Sequence, residues 1–398
     1  MTPADNATTT PGGSRLQHAL LVPTLVALVI ATVFVLLRLA DAADGDVTKF
    51  VVAGTTFTNP QRAPDGLAVM PGPGYDGNFY YRLALDPLNF HDTDFGITIQ
   101  GPQQLRRDRI LYPAVVHVVS VGSVDAVPWV MVALNVLAMA AIALCGAALA
   151  RSTGRRPLWG LFFVAFPLLW FSLARDLTEL LEVALVLAAL LAVRNHRWGW
   201  ATVALTAAVL TRETAVLVVA GLAVDRVLRW ARRRERPDIP DLAWSIPLAA
   251  LVAWQLVIRS EVGRFGFTGG STGMSVPFRG LPKFLEHSYD LARSGALPGL
   301  LQDAEAGVLI IVVVLAAASL RATSAPASEQ WALVFLTLFA ASLLGAGSWL
   351  EEGGLRAFAD LYAVAILVAM SSKRRLALPV VIAAGTSIGA MVQLVRFV

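Results

Sequence analysis

Charge is scarce in this chain. Of its 398 residues only 15% are Asp, Glu, Lys or Arg, where a soluble domain carries about a quarter. Cysteine is scarcer still, with Cys145 standing alone inside an apolar run. An intrachain disulfide is therefore excluded, and a cysteine-based metal site has no ligands to draw on. The five histidines, at 18, 91, 117, 196 and 287, are scattered without metal-ligand spacing, so no metal is expected. No glycine-rich phosphate loop of the Walker or dinucleotide type is present, which argues against ATP and nicotinamide chemistry. No cofactor is expected.

Apolar residues fill the space that charge leaves. They make up 56% of the chain, and mean hydropathy is +0.64. Repeated apolar runs are long enough to cross a bilayer, each about 17 to 21 residues. The fold class read from this pattern is an all-α polytopic membrane protein. The net charge of +4 falls in short loops between those runs. It is a topology signal, and nucleic acid is not an expected partner.

In chain order, residues 1–14 read as a disordered tail of Thr, Pro, Gly and Asn. Residues 15–398 read as a single transmembrane domain. Its first span is expected over 19–39, too long an apolar run for a cleaved signal. Further spans are expected near 127–150, 158–174, 180–193, 198–210, 215–228, 242–258, 306–320, 330–349, 355–370 and 376–395, about eleven in all. Two polar loops interrupt them, at 40–126 and 259–305. The short apolar stretch after Pro113 is expected to be interfacial or re-entrant. Tryptophans at 129, 159, 198, 200, 230 and 244 lie near span ends, as an interfacial belt does.

Alternating these spans puts the basic clusters 151–156, 194–197, 229–236, Arg321 and 373–375 on one side, which the positive-inside rule makes cytoplasmic. The opposite, extracytoplasmic side receives Asp76, Arg175 to Glu179, Arg212 with Glu213, and 351–360. There acid and base occur together, and two of the groups interrupt apolar runs. A lone charge at a helix centre costs about 2.5 to 3.5 kcal/mol, so these residues are expected to face a partner, a cavity or a substrate. Arg175 and Glu179 are four apart and could pair on one helical face. Interhelical ion pairs that merely set topology are the plainer explanation; a shared cavity where arginines meet a phosphate is the sharper one.

The stretch from Gly72 to Arg82, GPGYDGNFYYR, sits just beyond the first span. An early aspartate in a large first outer loop, then a long helical bundle, resembles the GT-C class of membrane glycosyltransferases. Tyr75-Asp76-Gly77, Phe79-Tyr80-Tyr81-Arg82, Arg109-Ile110-Leu111-Tyr112-Pro113 and Thr211-Arg212-Glu213-Thr214 are similar to bacterial members and to the polyprenyl-phosphomannose-dependent mannosyltransferases. The site here has one Asp followed by Gly, where an adjacent acidic pair is the family pattern. The resemblance implies a polyprenyl-phosphate sugar donor, a cell-envelope glycan or glycolipid acceptor, and inversion at the anomeric carbon. It implies Asp76 as general base, for which a carboxyl pKa raised near hydrocarbon would suit. Tyr75, Tyr80, Arg82, Arg109, Arg175, Asp176, Glu179, Arg212 and Glu213 are the implied substrate contacts, with arginine matched to the donor phosphate. The implied location is the plasma membrane, with the site on its extracytoplasmic face. A transporter or lipid flippase is the alternative, and a non-catalytic scaffold a third.

Overall fold

The computed structural model describes residues 12–233, 238–268 and 273–396. The chain is built from helices: α1 (Gly12–Ala40), α2 (Gly77–Leu85), α3 (Leu111–Ser120), α4 (Val127–Ser152), α5 (Leu161–Val164) and α6 (Pro167–Leu173). Then follow α7 (Glu179–Arg194), α8 (Trp198–Thr211), α9 (Val216–Arg233), α10 (Leu242–Val262) and α11 (Leu281–Ser294). The last five are α12 (Leu297–Ser319), α13 (Ala327–Ser342), α14 (Gly347–Leu350), α15 (Ala359–Met370) and α16 (Ala377–Arg396). Among the described residues the only sheets are two-stranded. They pair β1 (Ala53–Gly54) with β2 (Val69–Met70) in parallel, and β3 (Thr93–Asp94) with β4 (Ile97–Thr98) in antiparallel.

Five helices among the described residues are long and apolar enough to cross a membrane: 18–40 of α1, α4, 239–262 around α10, α12 and α16. This is an all-α membrane protein. The expected number of eleven is not matched by as many long helices. The other apolar runs fold as shorter helices, of 14 residues in α8 and 12 in α15. Shortness goes with burial in α15, whereas α8 exposes Trp200 and Val203. Every residue of α15 is buried, so protein takes the place of lipid around it. Small residues permit this close packing: a Cβ on Gly221 of α9 would lie 2.5 Å from the Ala332 nitrogen of α13, and one on Gly160 2.5 Å from that of Ala147 in α4.

The run 158–174, expected as one span, is broken. Phe166 is extended (φ −86°, ψ 118°) because the ring of Pro167 disfavours the helical region at the residue before it. The carbonyls freed by the break find donors inside the protein: Trp170 Nε1 reaches Val164 O at 3.1 Å and Ser387 Oγ reaches Ala165 O at 2.8 Å. The stretch 1–14, read as a tail, is described only from residue 12 onward. Helix α1 begins at Gly12, and residues 1–11 lie outside the described residues. The interfacial stretch near 111–121 forms α3, whose end exposes Val118, Val119 and Val121. Trp129 and Trp200, two of the expected belt residues, are also exposed.

The polar groups gather at two ends of the bundle. At one, Arg194 holds Glu329 through two bonds of 2.6 Å and reaches Ser152 and Ser371, while Arg155 donates to the carbonyls of Met370, Ser372 and Arg374. Asp76, Glu179 and Arg212 gather at the other. Helix α7 runs between them, from Glu179 to Arg194 in 16 residues, about 24 Å of helix. The expected separation of 151–156, 194–197 and 373–375 from Asp76, Glu179 and Arg212 is thus seen as two ends; of the expected cluster 229–236, residues 234–237 lie outside the described residues.

Candidate functional site

The first loop reaches the bundle through its glycines. Gly74 adopts φ +64°, and a Cβ there would lie 2.5 Å from Gly54 N and Val52 O. A Cβ on Gly77 would lie 2.4 Å from the Arg175 carbonyl oxygen. The close approach these glycines permit is therefore to the protein's own backbone. It seats the start of α2 on the turn between α6 and α7 and brings Asp76 over the end of the bundle.

Asp76 is 7% exposed and stands before α2 without capping it. Its carboxylate is divided between two arginines. Oδ1 accepts from Arg106 Nη2 at 2.6 Å and Nε at 3.1 Å, and Oδ2 accepts from Arg356 Nη2 at 2.6 Å. Arg356 also donates to the Tyr75 hydroxyl and lies over its ring, 4.6 Å from the centroid. The chain of charge continues inward: Arg356 Nε lies 3.0 Å from Glu179 Oε1, and Arg212 Nη1 lies 2.9 Å from the same oxygen and 3.8 Å from Glu182 Oε2. Thr214 Oγ1 donates to Glu182 Oε1 at 2.7 Å. Beside this chain, Arg109 forks onto Glu213 with bonds of 2.9 and 2.7 Å and donates to the Tyr80 hydroxyl at 2.7 Å.

Arg175 differs from its neighbours. It is 9% exposed, and its guanidinium stacks on Phe171 at 3.9 Å and on Tyr75 at 5.4 Å. No carboxylate pairs with it among the described residues, and its Nη1 is buried without a hydrogen-bond partner. The helical pairing of Arg175 with Glu179 expected from their spacing does not form. Asp176, at φ +51°, turns the chain between them, and Glu179 faces Arg356 and Arg212.

Electrostatics set three carboxyls of the first loop and the α8–α9 turn apart. Burial alone would push Asp76 up, but Arg106, Arg356 and Arg109 outweigh it and hold the group well below the usual carboxylate range. The raised value expected for a general base is thus reversed in this form of the protein. Glu213 is likewise pulled down to about 2: burial opposes, and the charge and hydrogen bonds of Arg109 prevail. Asp108 behaves oppositely. Burial first and the nearby Glu213 second push it up to about 7, against weaker opposing pulls from Gln255 and Arg109. Gly266 packs directly on it; a Cβ there would fall 1.7 Å from Asp108 Oδ1.

Of the residues expected at the site, Tyr75, Asp76, Tyr80, Arg109, Arg175, Glu179, Arg212 and Glu213 do converge. Arg82 does not. It is 2% exposed and turned into its own loop, where it donates to the carbonyls of His91 and Asp92. Two of its donors thus satisfy backbone carbonyls of its own loop instead of facing the Asp76 cluster. Asp176 is also set apart, fully buried with Arg38 as the neighbouring charge. Arg106, Arg356, Glu182, Thr214 and Asp108 are the participants that the expected set omits. Arg356 could have been found as the basic residue of the acidic 351–360 group, and Arg106 as the start of the run ending at Arg109. Among the described residues no group of three or more His, Cys, Asp or Glu is placed to hold a metal ion.

The chain matches no protein-family model, no curated protein and no solved structure.

The arrangement can still be read chemically. A buried carboxylate is held between two arginines, and a third arginine beside them makes no direct ion pair, with Glu352 its neighbouring negative charge. Such a cluster suits an anionic ligand that competes with Asp76 for its guanidinium partners.

Proposed function

We propose that the chain is a membrane glycosyltransferase of the GT-C type. It would move a sugar from a polyprenyl-phosphate donor to an envelope glycan or glycolipid at the Asp76 end of the bundle. The observation that carries this reading is Arg175, a buried guanidinium without a carboxylate, stacked on Tyr75 beside the Asp76–Arg356 pair. A donor phosphate would supply the directly bonded anion that Arg175 lacks. In the same reading, the arginine-rich end is cytoplasmic, the membrane is a bacterial plasma membrane, and the shorter helices complete a bundle of about eleven spans.

The donor itself would prepare the base. As its phosphate takes up Arg175 and draws Arg356 and Arg106 away from Asp76, the freed carboxylate gains proton affinity. The acceptor hydroxyl then attacks the anomeric carbon. Its proton passes to Asp76, the bond from carbon to phosphate oxygen breaks, and the lipid phosphate leaves with the electron pair. Direct displacement inverts the anomeric centre. Tyr75 and Tyr80 would line the sugar, and Arg109 with Glu213 would hold Tyr80 in place.

One observation favours the transporter alternative. The break between α5 and α6 resembles the discontinuous helices that line substrate paths. Its freed carbonyls, however, are taken by Trp170 and Ser387. Release of polyprenyl phosphate from a sugar-bearing donor by purified protein separates the two. A transferase cleaves the donor, and a flippase moves it intact.

A further inference from the structure

Helix α11 has three faces. Phe284 and Leu291 point into the protein: Phe284 stacks edge-on against Trp349 with centroids 5.2 Å apart, and Leu291 lies against Gly299 of α12. Lys283, Glu286, Asp290 and Arg293 form a charged face that is exposed. Between these runs a third, apolar stripe of Leu281, Leu285 and Tyr289, one turn apart, at 40%, 56% and 63% exposure. Two residues, Gly295 and Ala296, separate α11 from the long apolar helix α12, whose first turn exposes Leu297 and Leu300.

That combination identifies the occupant of the stripe. A helix free in water has no use for a third apolar face, whereas a helix in the plane of a bilayer needs one face each for protein, acyl chains and water. The stripe leads directly to side chains of α12 that face lipid in any membrane crossing. Val276 and Phe278, just ahead of α11, extend the exposed apolar surface in the other direction.

The helix is also firmly docked. Lys283 Nζ donates to Gly345 O at 3.0 Å, and Gly280 sits so close to the Leu344 carbonyl that a Cβ would fall 1.5 Å from its oxygen. Trp349, which receives Phe284, stacks in turn on Phe358, centroids 5.2 Å apart. Phe358 ends the 3-10 turn Gly354–Phe358 that carries Arg356.

The geometry points to α11 as an interfacial helix, seated in the leaflet at the Asp76 end of the bundle with Leu281, Leu285 and Tyr289 at the acyl boundary. Through Phe284, Trp349 and Phe358 it fixes the turn that presents Arg356 to Asp76. This holds whether or not the protein transfers sugars, since it requires only the bilayer. A bilayer of a different kind around α11 would therefore alter the Arg356 turn without any change of sequence.

The test uses the full chain with Cys145→Ala, reconstituted one copy per nanodisc of phosphatidylethanolamine and phosphatidylglycerol. A fluorophore is placed at Leu285→Cys or, as control, at Asp290→Cys. Nitroxide lipids labelled near the headgroup should quench the probe at 285 several-fold more than the probe at 290, and a water-soluble quencher should do the reverse. Equal aqueous quenching at both positions would overturn the interfacial seat. Protection of 285 only when two copies share a disc would assign the stripe to a second copy instead. Hydrogen exchange then reads the coupling: Leu285→Asp with Tyr289→Asp should speed exchange of 353–358 several-fold while α4 and α15 stay protected. Unchanged exchange there, with the 285 probe in lipid, would remove the link to Arg356 and leave only an anchor.

Discussion

Arg356 donates to Asp76 at 2.6 Å across 280 residues of sequence. This one bond ties the first loop to the turn before α15. It sits at the junction of the whole cluster, because the same guanidinium touches Tyr75 and Glu179.

Breaking such a pair leaves the other member buried and charged, which costs about 3 to 5 kcal/mol. Asp76→Asn and Arg356→Met should each destabilise the protein by an amount of that order, and the double variant by clearly less than the sum. Arg106 remains to share the load, so the Asp76 variant should lose more than the Arg356 variant. A double-mutant cycle read by tryptophan fluorescence during denaturation in mixed micelles checks this. Strict additivity would mean that the pair is not coupled.

Asp108 predicts a slope in stability near neutral pH. Its folded-state value is about 7 against an ordinary 3.8, so between those values the folded protein binds the extra proton. Stability therefore falls as pH rises from about 4 towards 7 and levels off above it. Asp108→Asn should flatten this limb in thermal unfolding from pH 5 to 8. An unchanged slope in that variant would place the titration elsewhere.

Glu213 acts in the opposite direction. Held at about 2 against an ordinary 4.5 by Arg109, it stabilises the fold above about pH 4.5, and that contribution is lost as pH falls towards 2. Glu213→Gln should lower stability at pH 6 and make unfolding less sensitive to acid below pH 4.5. Equal acid sensitivity in both proteins would contradict the Arg109–Glu213 assignment.

Gly77→Ala should disturb the site without touching any charged group. The added methyl meets Arg175 O at 2.4 Å and Val51 O at 2.7 Å. Both are backbone atoms that cannot step aside, and overpacking of this kind costs about 1 to 3 kcal/mol. Loss of stability should be accompanied by weaker binding of polyprenyl phosphate, because the Arg175 turn shifts. Wild-type stability would show that the loop is looser than its contacts imply.

These residues show how far the sequence could be read. The separation of Arg151, Arg194 and Lys373 from Asp76, Arg175 and Arg212 was legible, because charge at apolar boundaries is forced to one end or the other of a bundle. The convergence of Asp76 with Arg109, Arg175 and Glu213 followed from the same constraint. The choice of partners did not. Arg212 and Glu213 are neighbours in sequence yet pair with Glu179 and Arg109, because the backbone leaves α8 at Arg212 in an extended conformation. Arg82 looked available because its ligands are carbonyls of His91 and Asp92, which no side-chain pattern records. The break at Phe166-Pro167 was legible in principle, from proline alone, but was hidden by an unbroken run of apolar residues. The low proton affinity of Asp76 depends on Arg356, far along the chain, and on packing that no local motif describes.

The most direct test is the release of labelled sugar from a polyprenyl-phosphate donor, measured in membranes that contain the protein and its own acceptor. Wild-type and Arg82→Ala protein should both transfer the sugar, Arg175→Ala should do so with weakened donor binding, and Asp76→Asn should fall by at least about a hundredfold, as loss of a general base does. Full transfer by folded Asp76→Asn protein would contradict the assignment of Asp76 as the base.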